Sequence, residues 1–110
     1  MTQKPTISTP QAKQKNYTHI EQFVKQIAHY GRLGLVFTNH MKDSMMKRNF
    51  TTSDVLKVLA AGSLIRKREF DDTYKNWKYH IEGEDIEGEK LTLIFSITEE
   101  EDALILITGC

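Results

Sequence analysis

Apolar residues first fall into a regular pattern at Ile20, Phe23, Val24, Ile27 and Ala28, whose spacings of three and four mark one face of an amphipathic helix. Thr18-His19-Ile20-Glu21 precedes them in capping-box form, and Gly31 offers a left-handed stop behind them. Leu33 to Phe37 is short, apolar and interrupted by Gly34, and reads as an extended connector. A second helix is predicted at about 39–48, capped by Thr38 or Asn39, with Met41 and Met45 on its inner face. Thr51-Thr52-Ser53-Asp54 signals a third helix start, Val55, Leu56, Val58 and Leu59 form its stripe, and Gly62 ends it.

After Gly62 the period changes from helical to alternating. Leu64 to Phe70, then Trp77, Tyr79 and Ile81 set against Lys78, His80 and Glu82, predict two strands. Leu91, Leu93, Phe95 and Ile97 make a third, entered through a hairpin at Glu87-Gly88. A charged turn, Thr98 to Asp102, leads to Ala103–Thr108, which is apolar on both faces and suits a strand covered on both sides. The order predicts an α+β domain over 17–110: two to three N-terminal helices on one face of a mostly antiparallel four-stranded sheet, with a groove on the other face. Residues 1–16 carry both prolines and three lysines with little apolar surface, and read as a flexible tail.

Composition narrows this picture. A chain of 110 residues, 39% hydrophobic, supports one modest core and no second domain. No run of about eighteen apolar residues occurs, and the N-terminus lacks the apolar core of a secretory signal, so a soluble, cytoplasmic protein without a membrane partner is expected. The formal net charge of zero hides a division. Met1 to His80 holds fourteen Lys or Arg against six Asp or Glu, a surplus of +8, while Ile81 to Cys110 holds one against nine, a deficit of −8. Such a split reads either as a polyanion-binding surface backed by an acidic one or as two halves that pair across the fold.

No cofactor or metal is called for. Cys110 is the single cysteine, His19 and His29 stand about 15 Å apart along a helix, and GEDIEGE lacks the ligand spacing of a calcium loop. The chemistry-bearing side chains are cationic and imidazole groups instead. Arg66 and Arg68 share one face of their strand, and Lys78 and His80 share one face of the next; if the two faces coincide, they form a basic stripe. Trp77 and Tyr79 then point the other way, into the core.

His40, Met45, Arg48, Phe50, Thr51, Asp54, Val55 and Gly62, followed by Trp77, Tyr79, Gly88 and the closing strand, occur in an order that resembles a small bacterial and phage domain-of-unknown-function family, numbered 4258. That family is similar in layout to the RelE-type toxin ribonucleases, the group that includes barnase, EndoU and the colicin tRNases. The resemblance implies a metal-independent, toxin-type endoribonuclease, interferase-like, with RNA as partner, free or ribosome-bound, and a protein antitoxin. It places the family's helix-start histidine at His40 and its arginine at Arg48. Where the family commonly has an arginine before Met45, this chain has Ser44.

Metal-free RNA cleavage needs a base for the ribose 2′-hydroxyl, an acid for the leaving 5′-oxygen and cations on the phosphate. His40, His80 and Lys78 are the candidates for catalysis, and Arg48, Arg66 and Arg68 for phosphate binding. The same residues have plainer readings: His40 as a surface or capping residue, and Arg48 as a cation at a helix C-terminus. Eight residues of helix separate the two by about 12 Å, too far to hold one phosphate together. A non-catalytic RNA- or protein-binding module of phage or mobile-element origin is the alternative.

Overall fold

A computed structural model describes residues 16–30, 34–73 and 75–110, without the side chain of Lys67. Most of the expected tail, and Gly31, lie outside the described residues. The elements run α1 (Tyr17–His29), β1 (Leu35–Phe37), α2 (Asn39–Arg48), α3 (Thr52–Ala61), β2 (Ser63–Asp71), β3 (Asn76–Glu84), β4 (Lys90–Ile97) and β5 (Leu104–Gly109).

The sheet has five strands in the order β1-β5-β4-β3-β2 rather than four. β2, β3, β4 and β5 form an antiparallel meander, and β1 pairs parallel with β5, Leu35 opposite Leu104 and Phe37 opposite Leu106. The segment expected as a connector is therefore an edge strand. Its three residues are too few to display alternation, and Gly34, at φ +82°, turns the chain so that its carbonyl accepts the Leu104 N–H at 2.7 Å. β5 is thereby paired along both edges, with Leu104 and Leu106 buried on one face and Ile105 half-buried on the other.

The helix starts follow local capping chemistry. α1 begins two residues earlier than a Thr18 cap suggests, because the Asn16 side chain accepts the His19 N–H at 2.8 Å. Thr38 caps α2, and α2 closes at Asn49 in the left-handed conformation. Thr51 and Asp54 form a reciprocal capping box at α3.

α1 and α3 cover one face of the sheet. Ile20, Phe23 and Val24 of α1 and Val55, Val58 and Leu59 of α3 are buried with Tyr79, Ile81, Leu93 and Phe95. Gly62 and Gly83 allow α3 to close on β3: a Cβ on Gly62 would stand 2.5 Å from the Val58 carbonyl oxygen and 2.8 Å from that of Glu82. α2 lies against β5, with Met41 fully buried and Met45 packed on the core, so the methionine pair is core as its spacing suggests.

β2 carries an irregularity that governs its charges. Ile65 pairs with His80, but the next pair is Arg68 with Tyr79, so two residues of β2 have no opposite number. Two extra residues are one full pleat, so the alternation of faces survives while the register jumps.

Candidate functional site

On the sheet face turned away from α1 and α3, a cavity of about 570 Å³ opens between the start of α2 and the β2–β3 hairpin. Thr38 and His40 form one side, Asp71 and Asn76 the other, and Ser96, Ile105 and Ile107 contribute from β4 and β5. Strand alternation explains the floor: Phe95, Ile97, Leu104 and Leu106 point into the core, so Ser96 and its partner Ile105 point out.

The fold places His40 at the second position of α2 because the strand before it ends at the edge of β5. The Thr38 N–H donates to the Leu106 carbonyl at 3.3 Å, and the Thr38 hydroxyl reaches the Leu106 and Ile107 carbonyls at 3.0 and 3.2 Å. The same hydroxyl oxygen accepts the Met41 N–H at 3.0 Å, so one side chain both caps α2 and anchors it to β5. The His40 imidazole is exposed, and none of its ring atoms has a hydrogen-bond partner among the described residues.

The opposite wall is held by the hairpin. Asn76 donates from Nδ2 to the Ile97 carbonyl at 3.1 Å and accepts the Trp77 N–H at 2.8 Å. Ser96 Oγ donates to the Trp77 carbonyl at 2.7 Å, and Asp71 Oδ1 accepts the Thr73 N–H at 2.9 Å.

The other sequence candidates are dispersed. Lys78 and His80 sit on the cavity's face of the sheet, since Tyr79 between them is core, but neither lines the cavity. His80 is 8% exposed, and its Nε2 stands 3.5 Å from Glu69 Oε1 without a hydrogen bond. Arg48 ends α2, exposed, at the far end from His40.

Arg66 and Arg68 lie on the opposite face, so the conditional basic stripe does not form. Arg68 is paired with Tyr79, its guanidinium sits 4.0 Å from the centre of the Tyr17 ring, and its Nε donates to the Tyr17 hydroxyl at 3.1 Å. Arg66 approaches the same ring at 4.6 Å. An even number of residues between Asp71 and Asn76 sets this parity; an odd number would have brought all four cations together.

Among the described residues one carboxylate and one ammonium group are shifted, both at the other end of the molecule. The Ile86 N–H donates to Asp54 at 2.9 Å and, with Thr51, holds that carboxyl below the ordinary aspartate range. Hydrogen bonding to Glu82 at 2.8 Å raises Lys90.

Asp71, Asn76, Ser96, Ile105 and Ile107 carry no sequence signal as a site. Only the order of the strands brings residues from five elements to one cavity. Among the described residues, no cluster of three or more His, Cys, Asp or Glu is arranged to hold a metal ion, and no helix is long and apolar enough to cross a membrane.

A family model described as a domain of unknown function, DUF4258, matches residues 37–108. That span runs from the last residue of β1 into β5 and takes in every residue lining the cavity, while α1 precedes it. No curated protein and no solved structure matches the chain. With the greater part of its length and all of its cavity inside the matched span, the chain belongs to the DUF4258 family.

Proposed function

We propose that the protein is a small metal-independent endoribonuclease of toxin type with a RelE-like layout, acting from the sheet-face cavity. The observation that carries this reading is the unengaged His40 imidazole at the cavity mouth. An imidazole changes charge near neutral pH and can accept the ribose 2′-hydroxyl proton as the 2′-oxygen attacks phosphorus. The P–O5′ bond then breaks, and the 5′-oxygen takes a proton from an acid or from water. Lys78, half-buried on the same face, is the cation assigned to the phosphate. His80 is enclosed beside Glu69 and is assigned no proton transfer.

The test is incubation of the purified protein with labelled RNA in EDTA, with and without ribosomes, beside His40→Ala and Lys78→Ala. Cleavage by the wild type that falls by about a hundredfold or more in His40→Ala is expected. Intact RNA under both conditions, or equal cleavage by His40→Ala, overturns the reading.

One observation favours a second reading, a non-catalytic RNA- or protein-binding module: Arg66 and Arg68 are engaged with Tyr17, which leaves the cavity's face with fewer cations for a phosphate in transition. RNA affinity that falls with salt and persists without His40 would identify the RNA-binding form. An antitoxin-like protein partner would bind instead at a sheet edge.

A further inference from the structure

We infer that the cavity beside His40 is a seat for one unpaired nucleobase, with the sugar and phosphate left at its mouth. The inference rests on the RNA reading above and adds which part of the nucleotide enters.

Apart from the His40 imidazole and the Asp71 carboxylate, the polar groups lining the cavity are spent on the fold. The Thr38 hydroxyl is held by the Leu106 and Ile107 carbonyls and the Met41 N–H. Asn76 uses one amide hydrogen on the Ile97 carbonyl and its oxygen on the Trp77 N–H, and the Ser96 hydroxyl hydrogen goes to the Trp77 carbonyl. Among the described residues, no lysine or arginine lines the cavity, whereas a carboxylate, Asp71, does. A phosphate drawn inside would lose its hydration with no cation to replace it. Its place is outside, toward His40.

What the cavity offers is apolar contact. Ile105 and Ile107 are half-buried, side by side on β5, and the volume of about 570 Å³ falls within the range of roughly 300–1,000 Å³ typical of small-molecule sites. A planar ring with an apolar face and polar edges suits such a floor, and enzymes that act on splayed-out nucleotides hold the base between apolar or aromatic side chains. Besides the Asp71 carboxylate and the His40 imidazole at the mouth, the hydrogen-bonding capacity left over is small: one amide hydrogen of Asn76 and the oxygen of Ser96. Base identity is therefore weakly discriminated, and a paired base is excluded because its stacked neighbours cannot enter.

The test is a methyl and imidazole NMR titration of the full chain with adenosine, uridine, inorganic phosphate and N-acetyl-phenylalanine amide. Adenosine and uridine are expected to shift the Ile105 and Ile107 methyls, with affinities within about tenfold of each other, while phosphate leaves those methyls unmoved. Ile107→Gln and Ile105→Asp are expected to weaken the nucleoside response by about tenfold or more, with the Leu93 and Leu104 methyl signals reporting an intact fold. Silent isoleucines with both nucleosides, or a response to phosphate or to the phenylalanine amide alone, overturn the inference, the last in favour of a peptide site. If RNA is cleaved while nucleosides leave the isoleucines silent, the seat falls and the ribonuclease reading stands. If nucleosides bind there and RNA stays intact, the reverse holds.

Discussion

Asp54 Oδ1 accepts the backbone N–H of Ile86 at 2.9 Å, a bond that spans 32 residues and ties the first turn of α3 to the tip of the β3–β4 hairpin. The other oxygen of the same carboxylate accepts the Thr51 N–H and hydroxyl at 2.8 and 3.0 Å. Asp54→Ala breaks both the capping box and the hairpin tie, and a loss of about 2–3 kcal/mol is expected, read by urea unfolding at pH 7.

The same residue makes stability depend on pH. Its carboxyl titrates lower in the folded chain than in the unfolded one. The stabilisation is therefore fully present above about pH 4, the unfolded aspartate value, and is lost as pH falls through the lower folded value. Asp54→Asn should narrow its stability gap to wild type between pH 5 and the acid limit; a constant gap over that range, measured by urea titrations, contradicts the assignment.

Tyr17 is expected to matter through the arginines it engages. Tyr17→Phe removes only the bond from Arg68 Nε and should cost about 1 kcal/mol, whereas Tyr17→Ala also removes the ring under both guanidinium groups and should cost about 2–3 kcal/mol. Equal costs for the two variants in thermal unfolding would mean that the ring contacts contribute nothing.

Gly62 is a matter of space rather than of backbone freedom, since its φ of −76° suits any residue. Gly62→Ala places a methyl against the Val58 and Glu82 carbonyls and should destabilise by about 1–3 kcal/mol, with the loss seen in the unfolding midpoint.

On the proposed RNA reading, charge on the two sheet faces should separate RNA contact from scaffold. Lys78→Ala is expected to weaken RNA binding and to lower the salt slope by about one, with stability kept near wild type. Arg68→Ala is expected to do the reverse, because its guanidinium serves Tyr17 and Tyr79. Fluorescence anisotropy at two or more salt concentrations, beside thermal melts, distinguishes the two.

Much of the fold was legible along the chain because its signals are local. The period change after Gly62, the Thr51–Asp54 box, the Glu87-Gly88 hairpin and the doubly apolar Ala103–Thr108 segment each depend on residues within one element. Asn16 displaced the expected Thr18 cap by two residues, a difference that two nearby side chains of similar capping strength leave open in sequence.

What tertiary structure alone decided is where the elements meet. A three-residue strand such as Leu35–Phe37 has no period, and it exists because β5 supplies its partner. The even hairpin between Asp71 and Asn76 placed Arg66 and Arg68 behind the sheet from Lys78 and His80, and the two surplus residues of β2 shifted the register without changing the face. The His40 cavity needs five elements separated by up to 69 residues in the chain, and proximity across that distance is a property of sheet order. Sequence determined which side chains are available and which local structures they form; the long-range pairing of the sheet decided which of them share a surface.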